Sequence, residues 1–198
     1  MAVLKTRVSR GACILAGLFA LSACAYVRRQ QAAERQAASA PRARQDHLND
    51  GNVVAMFLAA NNTDVSYAQV ALAPNRTKTG AILAFAHRML DDHNGLAQAA
   101  RDLIVNTGIV AEDNAASLDF RDESAAKRDT LRELTGAKFD SFYIANEVRY
   151  HTRLLTTLDS VLIPAARNSD LKSLLTGVRP AVAAHLEHAE RVQAGLGK

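Results

Sequence analysis

The sequence predicts an all-α fold, an antiparallel four-helix bundle with one short extra helix between the second and third long helices. Three observations predict it. Apolar residues recur at steps of three and four over long stretches between Asp50 and Ala194, the period of one helical face. Alternating apolar and polar runs, which would make half-buried strands, do not occur in the sequence. Aromatic residues are only 5% of the chain, and alanine is abundant at inward positions, which lets helices pack closely around one core.

The first helix is predicted from about Gly51 to Ala73, with Asp50 as N-cap and Pro74 closing it. Val54, Phe57, Asn61, Asp64 or Val65, Ala68 and Leu72 trace its inward face. The second runs from about Thr79 to Thr107 and is closed by Gly108; at 1.5 Å per residue it spans about 40 Å. A polar, acidic stretch follows, then a short amphipathic helix from about Glu123 to Leu134, stopped by Gly136. The third long helix runs from about Phe139 to Ile163 and ends at Pro164. The fourth runs from Ser169 or Asp170 to Ala194 with Pro180 inside it. Pro180 lacks a backbone donor and is expected to bend this helix about one turn before His185.

Ahead of the bundle stands a processing signal. Lys5, Arg7 and Arg10 precede an apolar run from Ala12 to Leu21, too short for a membrane span of roughly 20 residues. Leu21-Ser22-Ala23-Cys24 resembles the lipobox of bacterial lipoproteins, in which the cysteine is acylated and becomes the first mature residue. Ala25, where an inner-membrane retention signal would place Asp, favours the outer membrane facing the periplasm. The expected organisation is a signal peptide over 1–23, a lipidated Cys24 and tether over 24–45, and a bundle domain over 46–198. The one partner this implies is the membrane, through the lipid on Cys24; no protein partner is indicated.

Removing the leader changes the charge. The whole chain is formally +4, but residues 24–45 hold five Arg against one Glu, and residues 46–198 come to −3. Arg28, Arg29, Arg35, Arg42 and Arg44 belong either to a solvated spacer or to a segment grazing anionic head groups. No basic helical face with interleaved aromatics occurs, which argues against nucleic acid as a partner. Cys13 falls in the leader and Cys24 carries lipid, so no thiol is left for a disulfide. The 153 residues after Gln45 suffice for one domain held together by its core.

Chemistry concentrates on three histidines. His93, His151 and His185 each sit near the middle of a different helix and interrupt an apolar stripe, such as Ile144, Val148, His151, Leu155 and Leu158. Inward imidazoles cost stability unless both ring nitrogens find partners. Asp64, near the middle of the first helix, and Glu147, one turn before His151, border the same level of the core. Neutral imidazoles with a carboxylate suit zinc, iron, copper or manganese, so Asp64, His93, His151 and His185 are the candidate metal ligands, with Glu147 close behind them. The competing reading is a metal-free buried network of His–Asp, His–Glu and Tyr–His pairs, to which Tyr67, Tyr143 and Tyr150 would contribute. His47, His87 and His188 are expected at the surface, and Asp91-Asp92 at the surface or just behind His93. Phosphate-binding glycine loops, Gly-x-Ser-x-Gly elbows and Cys-x-x-Cys pairs are absent from the sequence.

Asn61-Asn62-Thr63-Asp64-Val65, the run Phe85 to His93, Gly136 to Tyr143 leading to His151, and Pro180 with His185-Leu186 follow one pattern in this order. In it the chain resembles the ferritin-like family of predicted bacterial outer-membrane or periplasmic proteins known only as a domain of unknown function, DUF4142. The resemblance covers about Asp50 to Val192 and implies a ferritin-like bundle and an envelope location, with no settled activity. The family commonly carries Glu where this chain has Asp64. The residues three before the central histidines are Leu90, Val148 and Val182, so the Glu-x-x-His pairs of two-iron ferritins are missing.

Three readings of function follow. The first is a lipid-anchored envelope protein binding one transition-metal ion or small ligand at Asp64, His93, His151 and His185, with no reaction assigned. The second is a non-catalytic structural or interaction module whose histidines form a buried network. The third is a pH-responsive element whose buried histidines charge on acidification.

Overall fold

Where the sequence placed helical periods, the chain is helical almost without interruption. The computed structural model describes residues 48–196; the residues expected to form a leader and tether, Cys24 among them, and His47 lie outside them. In chain order the helices are α1 (Asp50–Ala71), α2 (Gly80–Thr107), α3 (Ala115–Glu133), α4 (Gly136–Thr157), a π-helical turn (Leu158–Leu162), the short α5 (Ile163–Ala165) and α6 (Ser169–Gly195). The described part is an all-α bundle. None of its helices is long and apolar enough to cross a membrane.

Helix α1 is the hub. It packs on α2 and α3 and touches α4, while α6 packs on α4 and α2. Its face is therefore buried nearly all round, with Val53, Val54, Met56, Phe57, Ala59, Ala60, Ala68 and Ala71 in the core. That is why no single apolar stripe dominates its sequence. The N-cap is Asn49, whose side chain accepts from Asn52 N while the Asn52 side chain accepts from Asn49 N. Asp50, expected to cap α1, instead accepts from the backbone N–H groups of Arg167 and Asn168 at 2.7 and 3.0 Å. It thereby fixes the approach to α6.

The extra helix is not short. α3 has 19 residues, because Asn114 and Ser117 form a reciprocal cap that starts it well before Glu123. Ser117, Phe120, Ser124 and Leu131 are its buried face. Gly136 does not end a helix but opens α4, at φ 58°, donating its N–H to Arg76 O at 2.7 Å. α2 ends as expected, at Gly108 with φ 71° in the left-handed region. At the far end of α4, Pro164 cannot donate to the carbonyl four residues back. The helix widens to a π turn just before it, where Ile163 N–H reaches Leu158 O. Pro180 lies inside α6, which continues through it to Gly195.

Candidate metal centre

Four helices each bring a side chain to one level of this core. Asp64 comes from α1, His93 from α2, His151 with Glu147 from α4, and His185 from α6. All five are at most 1% exposed. The imidazole centroids lie 5.2 to 5.7 Å apart, and each ring offers a nitrogen within 4.8 Å of the other two. Asp64 Oδ2 stands 2.7 Å from His93 Nε2 and 3.2 Å from His151 Nε2. Asp64, Glu147 and His151 also offer ligand atoms within 4.8 Å of one another. The sequence-predicted residues thus meet in two adjoining groups, one of imidazoles and one of carboxylates, with His151 in both.

What faces outward on each ring decides what faces inward. Asn61 Nδ2 donates to Phe57 O at 2.7 Å, which leaves Asn61 Oδ1 as an acceptor 3.0 Å from His93 Nδ1. His93 therefore donates from Nδ1 and its Nε2 carries the lone pair. His151 Nδ1 lies 3.0 Å from the Glu147 backbone oxygen, an obligate acceptor, so its Nε2 lone pair also points inward. His185 Nε2 lies 2.8 Å from Asp92 Oδ2, and its Nδ1 is the inner nitrogen. Outer acceptors of this kind fix tautomer and ring orientation in metal-bound histidines. His93 Nε2, His151 Nε2, His185 Nδ1 and both Asp64 oxygens are buried without a hydrogen-bond partner among the described residues. The 2.7 Å contact of His93 with Asp64 is close without being aligned as a hydrogen bond.

Electrostatics divide the group. Burial alone would raise the Asp64 carboxyl, yet the imidazoles of His93 and His151 facing it hold it well below the usual carboxylate range. Burial, reinforced by the Asp64 charge, pushes Glu147 well above it. Burial pushes His185 down to about 4, against the opposing pull of Asp92, and its ring is a neutral donor of a lone pair. Burial and the Glu147 charge push Tyr67 up to about 12. Burial also raises Tyr143 and Tyr150 well above the usual phenol.

Among the tyrosines, Tyr150 donates to Ala60 O at 2.6 Å, whereas Tyr143 Oη finds no partner among the described residues. Of the histidines expected at the surface, His87 is exposed, but His188 is half-buried, its ring 5.1 Å from that of Phe85. Sequence reading left open whether Asp92 faces solvent or the site; its side chain does both, 40% exposed and bonded to His185 and Arg88. Only its position next to His93 hinted at this. The role of Asn61 as the anchor of His93 had no sequence signal beyond an inward amide.

No curated protein and no solved structure matches the chain. A family profile described as "Domain of unknown function (DUF4142)" matches residues 32–192, beginning inside the stretch read as tether and ending near the close of α6. With four-fifths of the sequence and the whole of the described centre inside that match, the chain belongs to the DUF4142 family.

Proposed function

We propose that the bundle binds a transition-metal ion through the inner nitrogens of His93, His151 and His185 and the carboxylate of Asp64. One observation carries the reading: each imidazole has its outer nitrogen on an acceptor, so three lone pairs face one another and two of them also face the buried Asp64 carboxylate. Lone pairs facing lone pairs repel and cost stability when nothing stands between them. A cation converts the repulsion into coordination. Three nitrogens and one oxygen suit zinc, iron, copper or manganese. The protein would work as a periplasm-facing lipoprotein, held by lipid on Cys24; the basic leader, apolar run and lipobox support that part.

A second reading, the metal-free network, is favoured by the same 2.7 Å contact, since a proton taken up by His93 would make an ion pair with Asp64. Elemental analysis of the purified full chain separates the two. The metal reading expects near-stoichiometric metal. It also expects a rise in melting temperature on adding the matching ion, worth about 2.7 kcal/mol at roughly a hundredfold excess over Kd. Substoichiometric metal, with no melting shift for zinc, iron, copper or manganese, overturns it. Equal stability losses in His93→Ala and His151→Ala with and without metal would favour the network.

A further inference from the structure

Three coordinating imidazoles and Asp64 leave part of the cluster without a task. Glu147 Oε1 and Oε2, Asp64 Oδ1 and Tyr143 Oη are all buried and find no hydrogen-bond partner among the described residues. Tyr143, Glu147 and His151 stand four residues apart on α4, so they share one face of that helix. No lysine or arginine is buried among the described residues to neutralise the two carboxylates. Buried polar groups left unpaired are costly, and several in one place call for a ligand or a bound ion.

We propose that the centre takes a second divalent cation, an oxygen-preferring ion of the manganese class, held by Asp64, Glu147 and Tyr143 beside the ion on the three histidines. This rests on the metal reading above and extends it. The close grouping of Asp64, Glu147 and His151 ligand atoms, within 4.8 Å, marks the position. Asp64 is the natural bridge, since its Oδ2 faces the imidazoles and its Oδ1 is unpartnered. A bridging carboxylate holds two ions roughly 3.5–4 Å apart. The donor sets differ in kind: nitrogen donors favour zinc or copper, and carboxylate and phenol oxygens favour manganese. The arrangement owes nothing to Glu-x-x-His spacing, which this chain lacks.

The test uses the metal-stripped full chain, loaded with one equivalent of zinc and then titrated with manganese. Bound ions are counted by elemental analysis, and free manganese is followed by its paramagnetic resonance signal. The expected result is about one zinc and about one manganese per chain. Glu147→Gln should keep the zinc and weaken manganese binding at least about tenfold. Tyr143→Phe should do the same more mildly, and it carries the test if Glu147→Gln does not fold. A wild-type chain that stops at the zinc overturns the second position and leaves the first intact. So does a Glu147→Gln variant that binds manganese as tightly as wild type. A chain that holds neither ion overturns both.

Discussion

Asn61 occupies a core position where leucine would fill the space as well, and its value lies in what its amide fixes. The Phe57 carbonyl sets the amide, the amide sets the His93 tautomer, and the tautomer presents Nε2 to Asp64. Asn61→Leu should therefore act twice. The stripped protein should lose about 1–3 kcal/mol, because His93 Nδ1 is left without an acceptor. Metal affinity should fall by about 10–100-fold, as it does when the outer partner of a ligating histidine is removed. Denaturant melts and a competition against a chelator measure the two effects, and a variant that loses stability while keeping affinity would contradict the tautomer argument. His185 supplies a second residue-scale expectation. The fold holds it at about 4 against an ordinary 6.5, chiefly by burial. Asp92 and Asp64 favour its charged form, while His93 and His151 oppose it. On acidification the unfolded chain takes up the proton first, so the stability tied to His185 is complete above 6.5 and drains away towards pH 4. Between pH 7 and 4 the stripped wild type should lose about 2–3 kcal/mol more than His185→Gln. Parallel acid-limb slopes in urea melts of the two proteins would refute this.

At the scale of elements, the same substitution should have opposite effects at two helical glycines. Gly51 opens α1 under the α2–α3 connection, and a Cβ there would collide with the Val110 carbonyl oxygen. The Gly51 carbonyl meanwhile accepts from Glu112 N–H at 3.0 Å, so the two backbones cannot separate without losing that bond. Gly51→Ala should cost about 1–3 kcal/mol through displaced backbone. Gly177 lies exposed inside α6 with nothing within 4 Å of an added Cβ. Gly177→Ala should stabilise by about 0.5–1 kcal/mol, the entropic cost of glycine in a helix. Urea midpoints at constant slope read both, and a like-signed pair would show that local space is not what governs these positions. Element starts and stops were legible in sequence where one residue's backbone chemistry decides them, as at Gly108. They were misplaced where two residues act jointly. Asn114 and Ser117 cap each other and lengthen α3, and Asn49 with Asn52 takes the role expected of Asp50.

For the molecule as a whole, periodicity sufficed to bring Asp64, His93, His151 and His185 together, because inward residues near the middles of packed helices meet at one level. It could not show how the rings are oriented, since Asn61 and Asp92 act from other helices and the acceptor for His151 is the Glu147 backbone oxygen, which no side-chain pattern displays. Nor could it show that carboxylates and imidazoles form two adjoining groups. The remaining whole-molecule question is where this bundle sits. Its described helices supply no membrane span, and the net −3 of residues 46–198 gives the domain no attraction to an anionic surface. The proposed attachment is through Cys24. In cells that process lipoproteins, the wild-type chain should lose residues 1–23 and gain the mass of a lipid on Cys24. A single acyl chain binds membranes only weakly, and two or more hold firmly, so the product should stay with the membrane pellet in high salt. Cys24→Ser should remain uncut and unacylated, while melting temperature and metal content stay those of wild type, because the proposed metal ligands all lie far along the chain from Cys24, within the described residues 48–196. Intact-mass measurement decides it: a mature N-terminus other than residue 24, or a Cys24→Ser chain processed like wild type, would remove the anchor.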